Sequence, residues 1–143
     1  MTLRNILNAK PPGFISIAPA ARVTEVVALL AEKHIGAVLV TDHGRLVGIL
    51  SERDVVRCLA SHGAAALELT AAALMTSNPN TATPDITVEQ AMGMMTDGRF
   101  RHLPIIENGM LTGLVSIGDV VKAMIEQSQY EVETLRTYVT GAV

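Results

Sequence analysis

Apolar positions along the chain change period in a fixed order, and the order then recurs. Val23, Val26, Val27 and Leu30 fall at i, i+3, i+4 and i+7, one face of a helix. Residues 36–41 (Gly-Ala-Val-Leu-Val-Thr) follow as a continuous apolar run of strand length. His43-Gly44 is a turn signal, residues 46–50 read as a returning strand, and a second helix begins near Glu52. The second helical face is Val88, Ala91, Met92 and Met95; strands at 103–106 and 111–115 flank Asn108-Gly109, the stronger turn signal, and a helix begins near Ile117. Short first strands are expected at 15–17 and 80–82, just before Pro19 and Pro84. The unit is β-α-β-β-α, written twice. Its first helix is a crossover that makes the strands it joins parallel, and its hairpin pair is antiparallel.

A shift of 65 residues lays one copy on the other without a gap. Across residues 16–57 it gives nine identities in 42 positions, where chance gives about two or three for common residues at ~7% each. Among them are Gly44 with Gly109, Gly48 with Gly113, Ser51 with Ser116, and Asp54-Val55-Val56 with Asp119-Val120-Val121. A copy of about 60 residues buries its apolar face poorly alone, so the two are expected to pack as one module. The expected organisation is a first repeat with its lead-in at 1–62, an Ala-rich connector at 63–75, a second repeat at 76–127, and a helical extension at 128–143. Along that extension Val121, Ile125, Ser128, Val132, Leu135 and Val139 alternate spacings of four and three, the seam of a helix pair. The helix either folds back on its own module or pairs with a second chain.

Composition narrows the function. The 143 residues are 49% apolar and 17% charged, which suits a packed core and not a disordered chain. A net charge of −3 without a basic tract, and only four aromatics, argue against nucleic-acid binding. No apolar run reaches the ~18 residues of a membrane span, and residues 1–10 lack a secretory signal, so a cytoplasmic address is expected. Cys58 is the single cysteine, expected to serve as a small buried hydrophobe, and the four histidines lack metal-ligand spacing. No nucleophile elbow and no dinucleotide-binding glycine motif is present.

The chemistry concentrates in Gly48-Ile-Leu-Ser51-Glu-Arg-Asp54 and Gly113-Leu-Val-Ser116-Ile-Gly-Asp119. Serine followed three residues later by an acid is a capping box, which satisfies free amides at a helix start. The same atoms suit a nucleotide. A helix N-terminus receives phosphate, a carboxylate one turn in accepts from two vicinal ribose hydroxyls, and the upstream glycine clears space for a ligand or another backbone. One serine can do both.

The doubled Gly-h-h-Ser-x-x-Asp motif, with Arg101-His-Leu-Pro-Ile-Ile106 before the Asn-Gly turn, resembles a tandem cystathionine-β-synthase (CBS) domain pair, the Bateman module. Ser51-Glu-Arg-Asp54, Gly98-Arg-Phe-Arg-His-Leu-Pro104 and Ser116-Ile-Gly-Asp-Val-Val-Lys122 look like its small stand-alone bacterial subgroup. The resemblance covers roughly residues 5 to 127. It implies an α/β fold of two repeats packed sheet to sheet, clefts that take adenosyl ligands (AMP, ADP, ATP, NAD(H) or S-adenosylmethionine), a homodimer, an unidentified regulated protein partner, and no catalysis. Carried over by position, Asp54 and Asp119 hold ribose hydroxyls, and Ser51 and Ser116 sit beside ribose or phosphate. Gly36, Ala37 and Val38, with Arg101, His102 and Leu103, frame the adenine together with Ile15 and Asn80. Arg53 and Arg101 are the candidates for phosphate. The first copy has Val38-Leu39 where the second has Leu103-Pro104, and Gly118 stands opposite Arg53, so the two clefts are not expected to be equivalent. A dimeric scaffold with empty clefts is the alternative, and an enzyme acting on bound nucleotide a third reading for which no general base or metal cluster is visible.

Overall fold

The computed structural model describes residues 1–140. In chain order the elements are α1 (Leu3–Ala9), β1 (Ser16–Ile17), α2 (Val23–Lys33), β2 (Ala37–Asp42), β3 (Arg45–Ser51), α3 (Glu52–His62), a 3₁₀ segment (Gly63–Glu68), α4 (Ala71–Leu74), β4 (Thr76–Ser77), α5 (Val88–Gly98), β5 (His102–Glu107), β6 (Met110–Ser116) and α6 (Ile117–Thr140). Both copies have the expected order, with a parallel first pair and an antiparallel hairpin. In the first copy Ser16 pairs with Leu39 and Ile17 with Val40 in parallel, while β2 and β3 run antiparallel. In the second copy the first strand shrinks to one parallel bridge, Ala82 with Ile105, beside the antiparallel β5–β6 pair. Ile15 and Ile17 pack on the first core; of residues 80–82 only Ala82 has an apolar side chain to anchor. The hairpins match to the residue. His43 and Asn108 take the left-handed conformation (φ 51° and 53°), each followed by a glycine at φ 79° and 77°, as a two-residue hairpin turn demands.

Each copy has its own core. Val23, Val26, Leu30, Val38, Val40, Leu50 and Val55 are buried together in the first. Val88, Ala91, Met95, Leu103, Ile105, Val115, Val120 and Ala123 are buried together in the second. The lead-in segments are exchanged between them. Leu3 and Ile6 of α1 lie in the second core, and Ala71 of α4 lies in the first. The hydrogen bonds match in the two places. Leu3 N–H donates to the Ile86 carbonyl (3.1 Å) and Arg4 N–H to Pro84 (2.9 Å), as Ala71 N–H donates to Ala21 (2.7 Å) and Ala72 N–H to Pro19 (3.0 Å). Arg4 further ties α1 to the second copy through Glu107 (2.8 Å) and Asp85 (3.1 Å).

This exchange accounts for the glycine in each motif. A Cβ on Gly48 would lie 2.5 Å from Met75 Sδ and 3.0 Å from the Thr76 carbonyl oxygen; one on Gly113 would lie 2.8 Å from Leu7 Cδ2. The space is taken by the covering segment of the other copy, not by a ligand. After Met75 the chain adds β4 to the first sheet, Gly48 pairing with Ser77 and Ile49 with Thr76.

The two sheets meet on the faces turned away from the helices. Strand alternation sends Val38 and Val40 to the helical core and Ala37 and Leu39 to the opposite face, yet Ala37 and Leu39 are buried as well. Helix α6 runs unbroken through residue 140, and of its residues only Val120 and Ala123 are buried. Residues 128–140 are exposed throughout, so the described part does not fold back on its own module; residues 141–143 of the expected extension lie outside the described residues. Cys58 is half-buried rather than buried, with Sγ 3.7 Å from His62 Nδ1. Among the described residues no helix is long and apolar enough to cross a membrane.

Candidate functional site

A cavity of about 300 Å³ opens between the copies. The first copy supplies Gly36, Ile49 and the β3–α3 corner. The second supplies the start of its lead-in and the α5–β5 loop. Both motif serines turn their corners as the capping-box reading expects. Ser51 is the N-cap of α3, its N–H donates to Asp54 Oδ2 at 2.8 Å, and Asp54 N–H donates to its hydroxyl at 3.4 Å. The Ser51 hydroxyl also donates to Asp54 Oδ2 at 3.0 Å. Ser116 repeats the box, its N–H donating to Asp119 Oδ2 at 2.9 Å and its hydroxyl accepting from Asp119 N–H at 3.1 Å. Capping uses only Oδ2 of Asp54; among the described residues its Oδ1 makes no hydrogen bond.

Seven of the expected site residues line this cavity: Gly36, Ser51, Arg53, Asp54, Asn80, Arg101 and His102. Val38 and Leu103 do not. Both are fully buried in the helical cores, because the alternation that puts their strand neighbours between the sheets turns them away from the cleft. Ala37 is buried between the sheets, and Ile15 packs on the first core with its carbonyl accepting from Leu39 N–H (3.1 Å). Ser116 and Asp119 lie at the other corner, outside this cavity. Among the described residues no cluster of His, Cys, Asp and Glu could hold a metal ion.

The cavity also draws in residues that motif reading passes over, including Arg57, Arg99, Phe100 and Asn78. Arg57 stands one helical turn after Arg53, a spacing that places both guanidiniums on one face of α3. Arg99 ends α5 in the left-handed conformation (φ 56°), as His34 ends α2 (φ 53°). With Arg53 and Arg101 these make four guanidiniums, none in an ion pair among the described residues. Only Glu52 and Asp54 oppose them at the wall, an excess of positive charge in a chain whose net charge is −3. Phe100 is one of the chain's four aromatics.

His102 lies against the first copy: a Cβ on Gly36 would be 3.3 Å from His102 Nε2. Burial lowers its pKa, with Arg101 and Lys10 adding to the effect, against the opposing pull of Glu52 and Asp119. The imidazole is therefore neutral at pH 7. As pH falls below the unfolded value of about 6.5 the unfolded chain gains a proton before the native one, and stability drops. The urea midpoint is expected to fall between pH 7.5 and 5.5, and to fall less for His102→Gln. Equal losses in the two proteins would remove His102 as the cause.

Asp119 differs from its counterpart. Lys10, the residue that ends α1, donates to Asp119 Oδ2 at 2.7 Å and to the Leu114 carbonyl at 2.9 Å. Burial pushes the carboxyl's pKa up, but the Lys10 and Ser116 hydrogen bonds outweigh it and leave it below the usual carboxylate value.

Comparison with known proteins gives a consistent answer. The CBS domain family model matches residues 3–61 and again 71–126. The chain is 35% identical over 124 residues to the mitochondrial CBS domain-containing protein CBSX3 of Arabidopsis thaliana, covering 83% of this chain and 60% of that protein. It is 33% identical over 112 residues to an uncharacterised 17.7 kDa protein of Acidianus ambivalens, covering 77% of this chain and 66% of that one. The chain thus spans less than two thirds of either relative. Among solved structures, the CBS-domain protein ATU1752 of Agrobacterium tumefaciens superposes with a TM-score of 0.84 at 41% identity, covering 87% of this chain and 99% of that one. PAE2072 of Pyrobaculum aerophilum, solved with AMP, superposes with a TM-score of 0.74 at 29% identity over 83% of this chain and 89% of its own.

Proposed function

The chain belongs to the CBS-domain family as a tandem pair, and from that premise we propose that it is a regulatory module, not an enzyme, that holds an adenine nucleotide between its copies and signals by changing how they sit together. The observation that carries the reading is the cavity at Asp54. Asp54, with one carboxylate oxygen left over from capping, lines a space rimmed by four guanidiniums that make no ion pair among the described residues. A vicinal diol donates to such a carboxylate, and guanidinium forks take phosphate oxygens. The likeness to an AMP-bound protein supports the ligand class. Because the cavity has walls from both copies, ligand binds best to one arrangement of them, and a coupling of ~1–3 kcal/mol changes a partner's affinity by five- to 150-fold.

We assign the apolar face outside the cores to a second copy of the chain. Val56 on α3 and Val121 on α6, equivalent by the 65-residue shift, are 64% and 41% exposed, and Ile125, Val132 and Leu135 continue the strip along α6. Helix faces of this kind bury their apolar surface by pairing.

Native mass spectrometry of the purified chain with AMP, ATP, NAD or S-adenosylmethionine, each at about 1 mM, reads both parts. The expected species is a dimer carrying a nucleotide. A dimer that retains none of the four would favour a ligand-free scaffold, and a monomer would sink the pairing.

A further inference from the structure

The two motif carboxylates are in different states, and the exchanged lead-ins explain how. Matching hydrogen bonds put Leu3 in the place of Ala71 and Arg4 in that of Ala72, a shift of 68 rather than 65. On that shift Leu7 takes the place of Met75, each over its glycine, and Lys10 takes the place of Asn78. Asn78 lines the open cavity. Lys10, by contrast, carries its ammonium to Asp119 and to the carbonyl of Leu114, whose 65-residue counterpart, Ile49, lines the open cavity. The ammonium therefore meets the donor-seeking atoms that a ligand's hydroxyls would meet at the other corner. Asp119 keeps only 25% of its side-chain surface exposed. The spaces on either side of Lys10 are about 210 and 130 Å³, both smaller than the open cavity.

Resting on the nucleotide reading above, we propose that Lys10 is a built-in occupant of the second half-site, which limits the protein to one nucleotide per chain and makes the module one-sided. The ammonium satisfies the Asp119 carboxylate from within the chain, so a ligand must displace a charge-assisted hydrogen bond and leave a cation partly desolvated. The guanidiniums are thinned out at this corner as well: Gly118 stands opposite Arg53 and Lys122 opposite Arg57. Removing the ammonium frees the carboxylate and opens a second place for ligand.

The test counts AMP bound per chain by equilibrium dialysis. The proteins are the parent, Lys10→Asn (the residue at the matching place), Lys10→Gln as a second neutral replacement, Asp54→Ala, and Lys10→Asn with Asp54→Ala. The expected counts are one for the parent, two for either Lys10 variant, none for Asp54→Ala and one for the double variant. A count of one in both Lys10 variants, each folded by circular dichroism, overturns the proposal and leaves the nucleotide reading standing. A count of two in the parent overturns it as well. An Asp54→Ala protein that binds as the parent does overturns the nucleotide reading itself.

Discussion

Replacing Asp54 with alanine is expected to weaken nucleotide binding by about a hundredfold or more. Two ribose hydroxyls donating to an ionised carboxylate contribute ~1.5–3 kcal/mol each, and each 1.4 kcal/mol is a factor of ten. The change also removes the reciprocal half of the α3 capping box, in which Ser51 N–H donates to Asp54 Oδ2, at a cost of ~1 kcal/mol in stability. Asp54→Asn separates the two roles. Its amide oxygen still accepts from Ser51 N–H, while the negative charge that binds two hydroxyls is gone. Titration calorimetry is expected to find most of the affinity lost in Asp54→Asn, with a melting temperature close to the parent's. If both variants lose stability and neither loses affinity, the aspartate is a cap and nothing more.

The second large effect is expected at Leu39. It has no exposed surface and lies on the face of β2 opposite Val38 and Val40, between the two sheets. Leu39→Ala removes packing that neither helical core can replace, and truncations of this kind cost ~3–5 kcal/mol where the surroundings cannot collapse. Against a typical total of ~5–15 kcal/mol that is a large fraction, and for a domain of this size it lowers the melting temperature by about 10 °C. Urea unfolding at pH 7.5 measures it. A loss under ~1 kcal/mol would mean that the sheets are loosely apposed and the cleft between them is not held open by packing.

How far the chain can be read follows from where its two copies kept the same residues. The hairpins, crossovers and motif corners repeat at a constant shift of 65 because turn geometry and capping admit few residue types. His43-Gly44 and Asn108-Gly109 adopt the same backbone, and Ser51 and Ser116 cap the same way. The exchange of the lead-ins was opaque for two physical reasons. Helix α1 is seven residues long and α4 only four, too short for a periodic signal. Between Lys10 and Ile15 the register slips from 68 back to 65, so Leu7 and Met75, which do the same job, never align. The misplacement of Leu103 had a visible remedy, since a strand cannot turn two neighbours to one face and His102 already claimed the cleft side; Val38, its counterpart at the 65-residue shift, likewise goes into a core. Lys10 carried no signal at all, because its role is set by a carboxylate 109 positions away.

The exchanged lead-ins also fix the order in which the molecule can be finished. A ribosome makes α1 first, but the core that receives Leu3 and Ile6 is completed only by Ala123. At ~5–20 residues per second the nascent helix waits on the order of ten seconds for its seat. Meanwhile the first copy cannot close over Gly48 until Met75 and Thr76 emerge, so its sheet edge stays uncovered after all its own strands exist. Nor can either half mature as a free-standing piece, since each holds the other's lead-in. Duplication produced two look-alike units, and the crossing of their first helices ties each to the other's core, so the two are expected to unfold together.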